Sequence, residues 1–373
     1  MRIAFFDPAR LRYLSNGSLA GAGIRIAAVI ALSIAAVARP TFAAEPEQRQ
    51  GALARPVATQ VPAAPDRFAR ADAAALSAIR RSFSREGYAD AERMARELLV
   101  QAAGRGATGR TNWAATVWIA RCRAATRQPD AETWFTRAIE GAESIFGPEH
   151  ANSASSLDEL ADYYRVHGRP IDAEPLYQRA LAIREKALGE WHPETADNLA
   201  VLGNLRIGMG NYDAARPLLE RALDIRQHAL GAASKEALDT QFDLARLAHI
   251  QRRHDDAEKL YKRVLAKREA LLGDSDPEVA TVLDAMARLN LELGRTPLAE
   301  QQFKRVLAIR ERSRGRDHWE ILATLNELIR LYQARGNQSA ARPLMERAQA
   351  ILRANAAKHK NPVNSPPPTR SVP

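Results

Sequence analysis

Several side chains in this 373-residue sequence are of types and spacings that could do chemistry. His150, His192 and His318 stand in matching contexts (PEHAN, EWHPE, RDHWE). Three imidazoles closing on one ion would make a zinc site, with ligands at ~2.0–2.1 Å. His249 and His254 form a closer pair, which reads as solvated polar residues beside a turn. Cys122 lies between Arg121 and Arg123, whose charge would lower its pKa and raise its reactivity; the alternative is a small helix residue with no redox work. It is the single cysteine, so no internal disulfide or multi-thiolate metal site can form. Arg246, Arg288 and Arg330 recur every 42 residues, and a row of guanidinium groups pairs well with carboxylates. G-x-S-x-G, H-E-x-x-H and P-loop patterns are missing. The short GRGATG (104–109) has no Lys after it and no strand before it.

The elements that must position these residues are repeats. Gly147, Gly189, Gly231, Gly273 and Gly315 are 42 residues apart, and RALAIREKALG (179–189) returns as RALDIRQHALG, RVLAKREALLG and RVLAIRERSRG. Ala131, Ala173, Ala215, Ala257, Ala299 and Ala341 are in phase. Four residues later come Phe135, Tyr177, Leu219, Tyr261, Phe303 and Met345. Each unit reads as two amphipathic helices. Small residues let the helices approach, and the large residue one turn later fills the gap. The third residue after each repeat glycine is His, Ser or Asp, followed by Pro or an early Glu in several units, as at a helix start. Pro175, Pro217 and Pro343 are expected in the first turns of second helices, where no hydrogen-bond donor is lost. Arg252 stands where other units carry Gly168, Gly210, Gly294 and Gly336, which questions the sharpness of that turn.

This periodicity decides the histidines. His150, His192 and His318 occupy one loop in different units, and packed helices are ~8–10 Å apart, so they cannot share an ion and are expected to cap helices. The repeats use nearly all of residues 68–356. No catalytic domain, metal or cofactor is therefore expected, and the chain reads as a non-enzyme.

The segments HGRPIDAEPLYQRALAIREKALG (167–189) and GEWHPETADNLAVLGNLRIGMGNYDAARPLLERALDIR (189–226) resemble the tetratricopeptide repeat in its 42-residue, kinesin light chain-like form. Leu160, Ala161, Tyr164, Ala173, Tyr177 and Ala180 follow the family's small/large pattern. The resemblance implies an all-α, right-handed α-solenoid of stacked helix hairpins, whose first helices line a concave face that holds extended peptides. The inward positions would include Asn204, Phe242, Arg246, Asp284, Arg288, Asn326 and Arg330. Two readings stand for the arginine column. It captures an acidic segment or a C-terminal carboxylate, or it is paired along its own helices with Asp243, Asp284 and Glu327. Kinesin light chain-type relatives use asparagines midway along the first helices. Here Asn326 keeps that identity and Asp158, Ala200, Phe242 and Asp284 do not, so a copied cargo specificity is not expected.

Residues 1–43 carry five arginines, four of them ahead of a thirteen-residue apolar run, Ile26–Ala38, and Thr41-Phe42-Ala43-Ala44 follows the run. The run is too short to cross ~30 Å of hydrocarbon and fits a signal peptide, giving an expected periplasmic or secreted protein; a cytoplasmic protein or an uncleaved anchor is the alternative. Residues 44–66 read as a linker, 67–104 as a degenerate N-terminal helical repeat, 105–356 as six repeats and 357–373 as a tail. The formal charge is +10, about +6 of it beyond residue 43 and spread along the chain. Nucleic-acid binders show a clustered patch, so none is expected as partner. The expected role is a scaffold binding a protein or extended peptide in the bacterial cell envelope, with no stable membrane insertion after cleavage. A cytoplasmic adaptor or accessory subunit of an enzyme complex is the second reading.

Overall fold

The computed structural model describes residues 69–105 and 109–360. The expected signal segment, the linker and the tail beyond Lys360 lie outside the described residues. Among those described are fourteen α-helices and no strand. They are α1 (Ala69–Ser84), α2 (Tyr88–Gly104), α3 (Arg110–Ala125), α4 (Ala131–Phe146), α5 (Ala151–Val166), α6 (Pro170–Leu188), α7 (Pro193–Gly208), α8 (Tyr212–Leu230), α9 (Lys235–Ile250), α10 (His254–Leu272), α11 (Pro277–Glu292), α12 (Thr296–Arg314), α13 (Leu322–Ala334) and α14 (Gln338–Lys360). No described helix is long and apolar enough to cross a membrane. The last helix runs to Lys360, past the boundary expected at Ala356.

Odd- and even-numbered helices pair as hairpins. Each hairpin turn holds one residue at positive φ: Glu86, Arg127, Gly168, Gly210, Arg252, Gly294 and Gly336, with φ from 55° to 80°. The next residue's N–H returns to a carbonyl five positions back, as in Asn211 to Arg206 (2.9 Å) and Arg253 to Ala248 (2.9 Å). These are Schellman-type helix ends, which satisfy carbonyls the helix leaves open. Arg252 therefore keeps the turn of its glycine sisters, holding a left-handed backbone that costs an L-residue roughly 1–2 kcal/mol.

The chain forms two compact units, one ending at Asn198 and the other beginning at Leu199, within α7. In each, helices pack on their neighbours in sequence, as in a helical-repeat solenoid. In the N-terminal unit Ala131, Phe135, Ala138, Ala173, Tyr177 and Ala180 are buried. In the C-terminal unit Ala215, Leu219, Ala257, Tyr261, Ala299 and Phe303 are buried in the same phase. Removing each large side chain from water contributes roughly 1.5–3 kcal/mol. Met345 is only partly buried.

Hairpins are also tied by arginine. Arg179 reaches back to Glu143 at 2.5 Å in the N-terminal unit. Arg305 pairs with Glu269 (2.6 Å) and Arg347 with Glu311 (2.5 Å) in the C-terminal unit. A second series, Arg184 in the first unit and Arg226, Arg268 and Arg310 in the second, points inward from the even helices. Arg226 Nη1 donates to the Glu236 carbonyl (3.1 Å) and Thr240 Oγ1 (2.5 Å). Arg268 Nη1 donates to the Glu278 carbonyl (3.1 Å) and lies 3.3 Å from its Oε2, while Nη2 pairs with Asp239. Arg310 Nη1 donates to Thr324 Oγ1 at 2.5 Å. These contacts join an even helix to the odd helix that follows, and through Asp239 the Arg268 side chain also holds α10 to α9.

One expectation needs correction. Pro175, Pro217 and Pro343 are each the sixth residue of their helix, beyond the first turn, so each removes one internal hydrogen bond. The prolines and the residues whose carbonyls lose a donor (Ile171, Asp213, Ser339) are exposed, and water takes the missing donor's place.

Candidate functional site

In the C-terminal unit the odd helices present a row of polar side chains at repeat spacing. Asn204 on α7 donates through Nδ2 to Asp243 Oδ2 of α9 at 2.7 Å. Arg246, one turn on, reaches Asp243 Oδ1 at 3.3 Å and is 45% exposed. On α11 Arg288 donates through Nε to Asp284 Oδ2 at 2.9 Å and through Nη1 to Glu327 Oε1 of α13 at 2.8 Å. One guanidinium thus bridges two successive odd helices. Burial pulls the Arg288 pKa down, but Asp284 and Glu327 more than offset it and hold the group above its ordinary value. Arg330 lies 3.8 Å from Glu327 Oε2 and is 71% exposed.

The three in-phase arginines are therefore matched by three carboxylates, and the row is a ladder of alternating charge. Of the two sequence readings, pairing along the helix describes all three. Asn326 is exposed beside the ladder. Phe242 is not a wall of the row: it is buried against Tyr261 and Met286, with the Arg268 guanidinium 5.3 Å from its ring centroid. Phe242 shares its phase with Asp284 and Asn326, but its apolar ring packs into the core of its own hairpin, whereas the Asp284 carboxylate at that position pairs with Arg288.

The N-terminal unit carries its own version on α5. Arg165 Nη2 donates to Asp162 Oδ1 at 2.7 Å, and Tyr177 OH donates to the same oxygen at 2.7 Å. Burial first, then Asp162, holds the Tyr177 phenol protonated. Asp158 meets Arg184 Nη1 at 2.6 Å and accepts from Asn198 Nδ2 at 2.8 Å. Burial pushes its carboxyl up to about 6, with Arg184 and Asn198 pulling the other way.

His150, His192 and His318 accept through Nδ1 from the backbone N–H of Asn152 (3.1 Å), Glu194 (3.2 Å) and Glu320 (3.3 Å). They cap separate helix starts, His318 that of the 3₁₀ turn Trp319–Ile321 leading into α13, with Ser234 and Asp276 doing the same work. Cys122 is buried, and burial followed by Glu92 pushes its thiol up to about 12 despite Arg121. The two flanking arginines are engaged elsewhere, Arg121 with Glu159 and Arg123 with Asp130 and Glu92. His249 departs from its reading as a solvated residue: its side chain is 13% exposed, packed near Tyr261 and His254.

Two-helix units in 42-residue phase, each packed on its sequence neighbours, define a helical-repeat protein. Residues 113–186, 164–228, 236–312 and 292–354 match the tetratricopeptide repeat, together more than half of the sequence, and the chain belongs to that family. No curated protein matches it. Similar solved structures include Podosopora anserina nearly identical TPR-like repeats that carry the kinesin light chain name (27% identity, 57% of this chain and 99% of that one, TM-score 0.48). A Rap protein complexed with competence and sporulation factor is 16% identical, with 78% of each chain covered and a TM-score of 0.52. The apo quorum sensor NprR of B. thuringiensis is 13% identical, with 76% of each chain covered and a TM-score of 0.57. The last two share the fold.

Proposed function

We propose that the chain is a non-catalytic scaffold that holds an extended peptide or a segment of a partner protein along the odd helices of its repeats. The observation that carries this reading is the charge ladder: side chains from successive odd helices, spaced by the repeat, with Arg246 and Arg330 exposed and loosely held. A rigid array of this kind lowers the entropy lost when a flexible segment docks. The Rap protein seen with competence and sporulation factor is an analogy at the level of fold. The ladder matches each guanidinium with a carboxylate, so it favours a segment with both polar donors and acceptors over a purely acidic one.

The test compares partners crosslinked to the wild-type chain with those of Arg246→Ala/Arg330→Ala, whose melting temperature should be unchanged. Loss of the same partners supports the reading; an identical set overturns it. Export to the cell envelope is part of the proposal, supported by the basic start, the apolar run Ile26–Ala38 and the small residues after it. A periplasm-dependent reporter fused after Asp66 decides it, and activity confined to the cytoplasm would leave the adaptor reading.

A further inference from the structure

The geometry points to a transition-metal site formed by His249, His254 and Glu292, of the kind that takes Zn²⁺. The three come from different elements of the C-terminal unit: the last turn of α9, the first residue of α10 and the last residue of α11. Their ligand atoms all lie within 4.8 Å of one another. His249 Nε2 is 3.4 Å from Glu292 Oε1, which matches the ligand–ligand edge of about 3.4 Å around a tetrahedral ion with ~2.0–2.1 Å bonds. His254 supplies the third corner, its ligand atom within 4.8 Å of the other two. Two imidazoles and one carboxylate suit zinc and its neighbours rather than magnesium or calcium, which demand oxygen.

The alternative is a structural histidine–glutamate pair, and two observations tell against it. Both His249 Nε2 and His254 Nδ1 are buried and form no hydrogen bond of acceptable geometry. Two such nitrogens are costly to bury without a partner, and one bound ion would satisfy both. The repeat also has no need of these residue types. The corresponding positions of the following repeat are Leu291, Thr296 and Ala334, and that repeat folds the same way. Arg252 in the connecting turn opposes a cation, but it is exposed and water screens it, whereas the ligand bonds form at contact. Glu292 is on the open side, leaving a fourth position for water or a partner's side chain. An ion here would clamp the α9–α10 hairpin to α11.

The experiment titrates ZnCl₂ into the purified chain by calorimetry and repeats it with Co²⁺ to read ligand-field absorption. Three variants carry the following repeat's residues, His249→Leu, His254→Thr and Glu292→Ala, so each position receives a side chain the fold already accepts. We expect one equivalent bound by the wild type, a tetrahedral cobalt spectrum, a raised melting temperature, and binding weakened by at least about tenfold in each variant. No binding by the wild type overturns the site. So does binding that all three variants retain, because the histidines that cap helices elsewhere would then be the ligands.

Discussion

Replacing Arg268 tests whether the inward arginines hold the repeats together. The side chain is 2% exposed, donates to the Glu278 carbonyl, pairs with Asp239 and Glu278, and lies against the face of Phe242. Taking one partner from a fully buried ion pair costs roughly 3–5 kcal/mol. Asp239 and Glu278 are partly exposed and regain water, which moves the value towards the lower end. The lost cation–π contact restores about 0.5–1 kcal/mol. Arg268→Ala should therefore cost about 3 kcal/mol in urea unfolding followed by circular dichroism. Arg342, 83% exposed and paired with Glu346 at 3.0 Å along one helix, is the control, and Arg342→Ala should cost no more than about 0.5 kcal/mol. Repeats couple to nearest neighbours, so the loss of amide exchange protection should concentrate in α9, α10 and α11. A cost below about 1 kcal/mol, or protection lost evenly along the chain, would refute the reasoning.

Three further outcomes are expected. Gly203→Ala sets a Cβ 2.9 Å from Leu219 Cγ and Cδ2 and should destabilise by about 1–2 kcal/mol; Gly208→Ala, with nothing within 4 Å, should stabilise by about 0.5–1 kcal/mol, both read by urea unfolding. Arg252→Gly should raise stability by about 0.5–1 kcal/mol, because relief of left-handed strain exceeds the added freedom of the unfolded chain; a lower midpoint would show that the side chain contributes more than the backbone costs. Cys122, buried with its thiol pushed up to about 12, should react with a disulfide reagent at neutral pH only as fast as the helices open, and a rate typical of an exposed thiol would contradict that placement.

Helix pairs, the buried Ala and Tyr/Phe phases and the capping histidines were legible because each repeats with a fixed period and a known stereochemical use. The inward arginines recur as well, sixth from the end of each RALAIREKALG-type segment. Their direction was not legible, because charge alone does not say which way a helix residue points. Phe242 misled in the opposite direction, since an aromatic ring suits a binding wall and a core equally and only its packing on Tyr261 decides. His249, His254 and Glu292 could not be grouped from sequence. Glu292 belongs to the next repeat and has no counterpart at its phase, so its approach to the two histidines depends on how α9 and α11 lie side by side.

On the proposed reading, the three ladder arginines should not contribute alike. A ligand carboxylate that recruits Arg330 displaces only a 3.8 Å contact with Glu327, and an exposed pair of that kind is worth about 0–1 kcal/mol. Arg246 gives up a 3.3 Å contact with Asp243, still at modest cost, and leaves Asp243 the Asn204 amide. Arg288 would have to abandon two short bonds that join α11 to α13. Ligand charges should therefore be read by the outer two, while Arg288 keeps the odd helices in register. Arg330→Ala and Arg246→Ala should weaken partner binding and leave the melting temperature in place, whereas Arg288→Ala should lower the melting temperature first. Equal binding losses with no change in melting for all three would mean that Arg288 touches the partner directly and that its two carboxylates do not hold it.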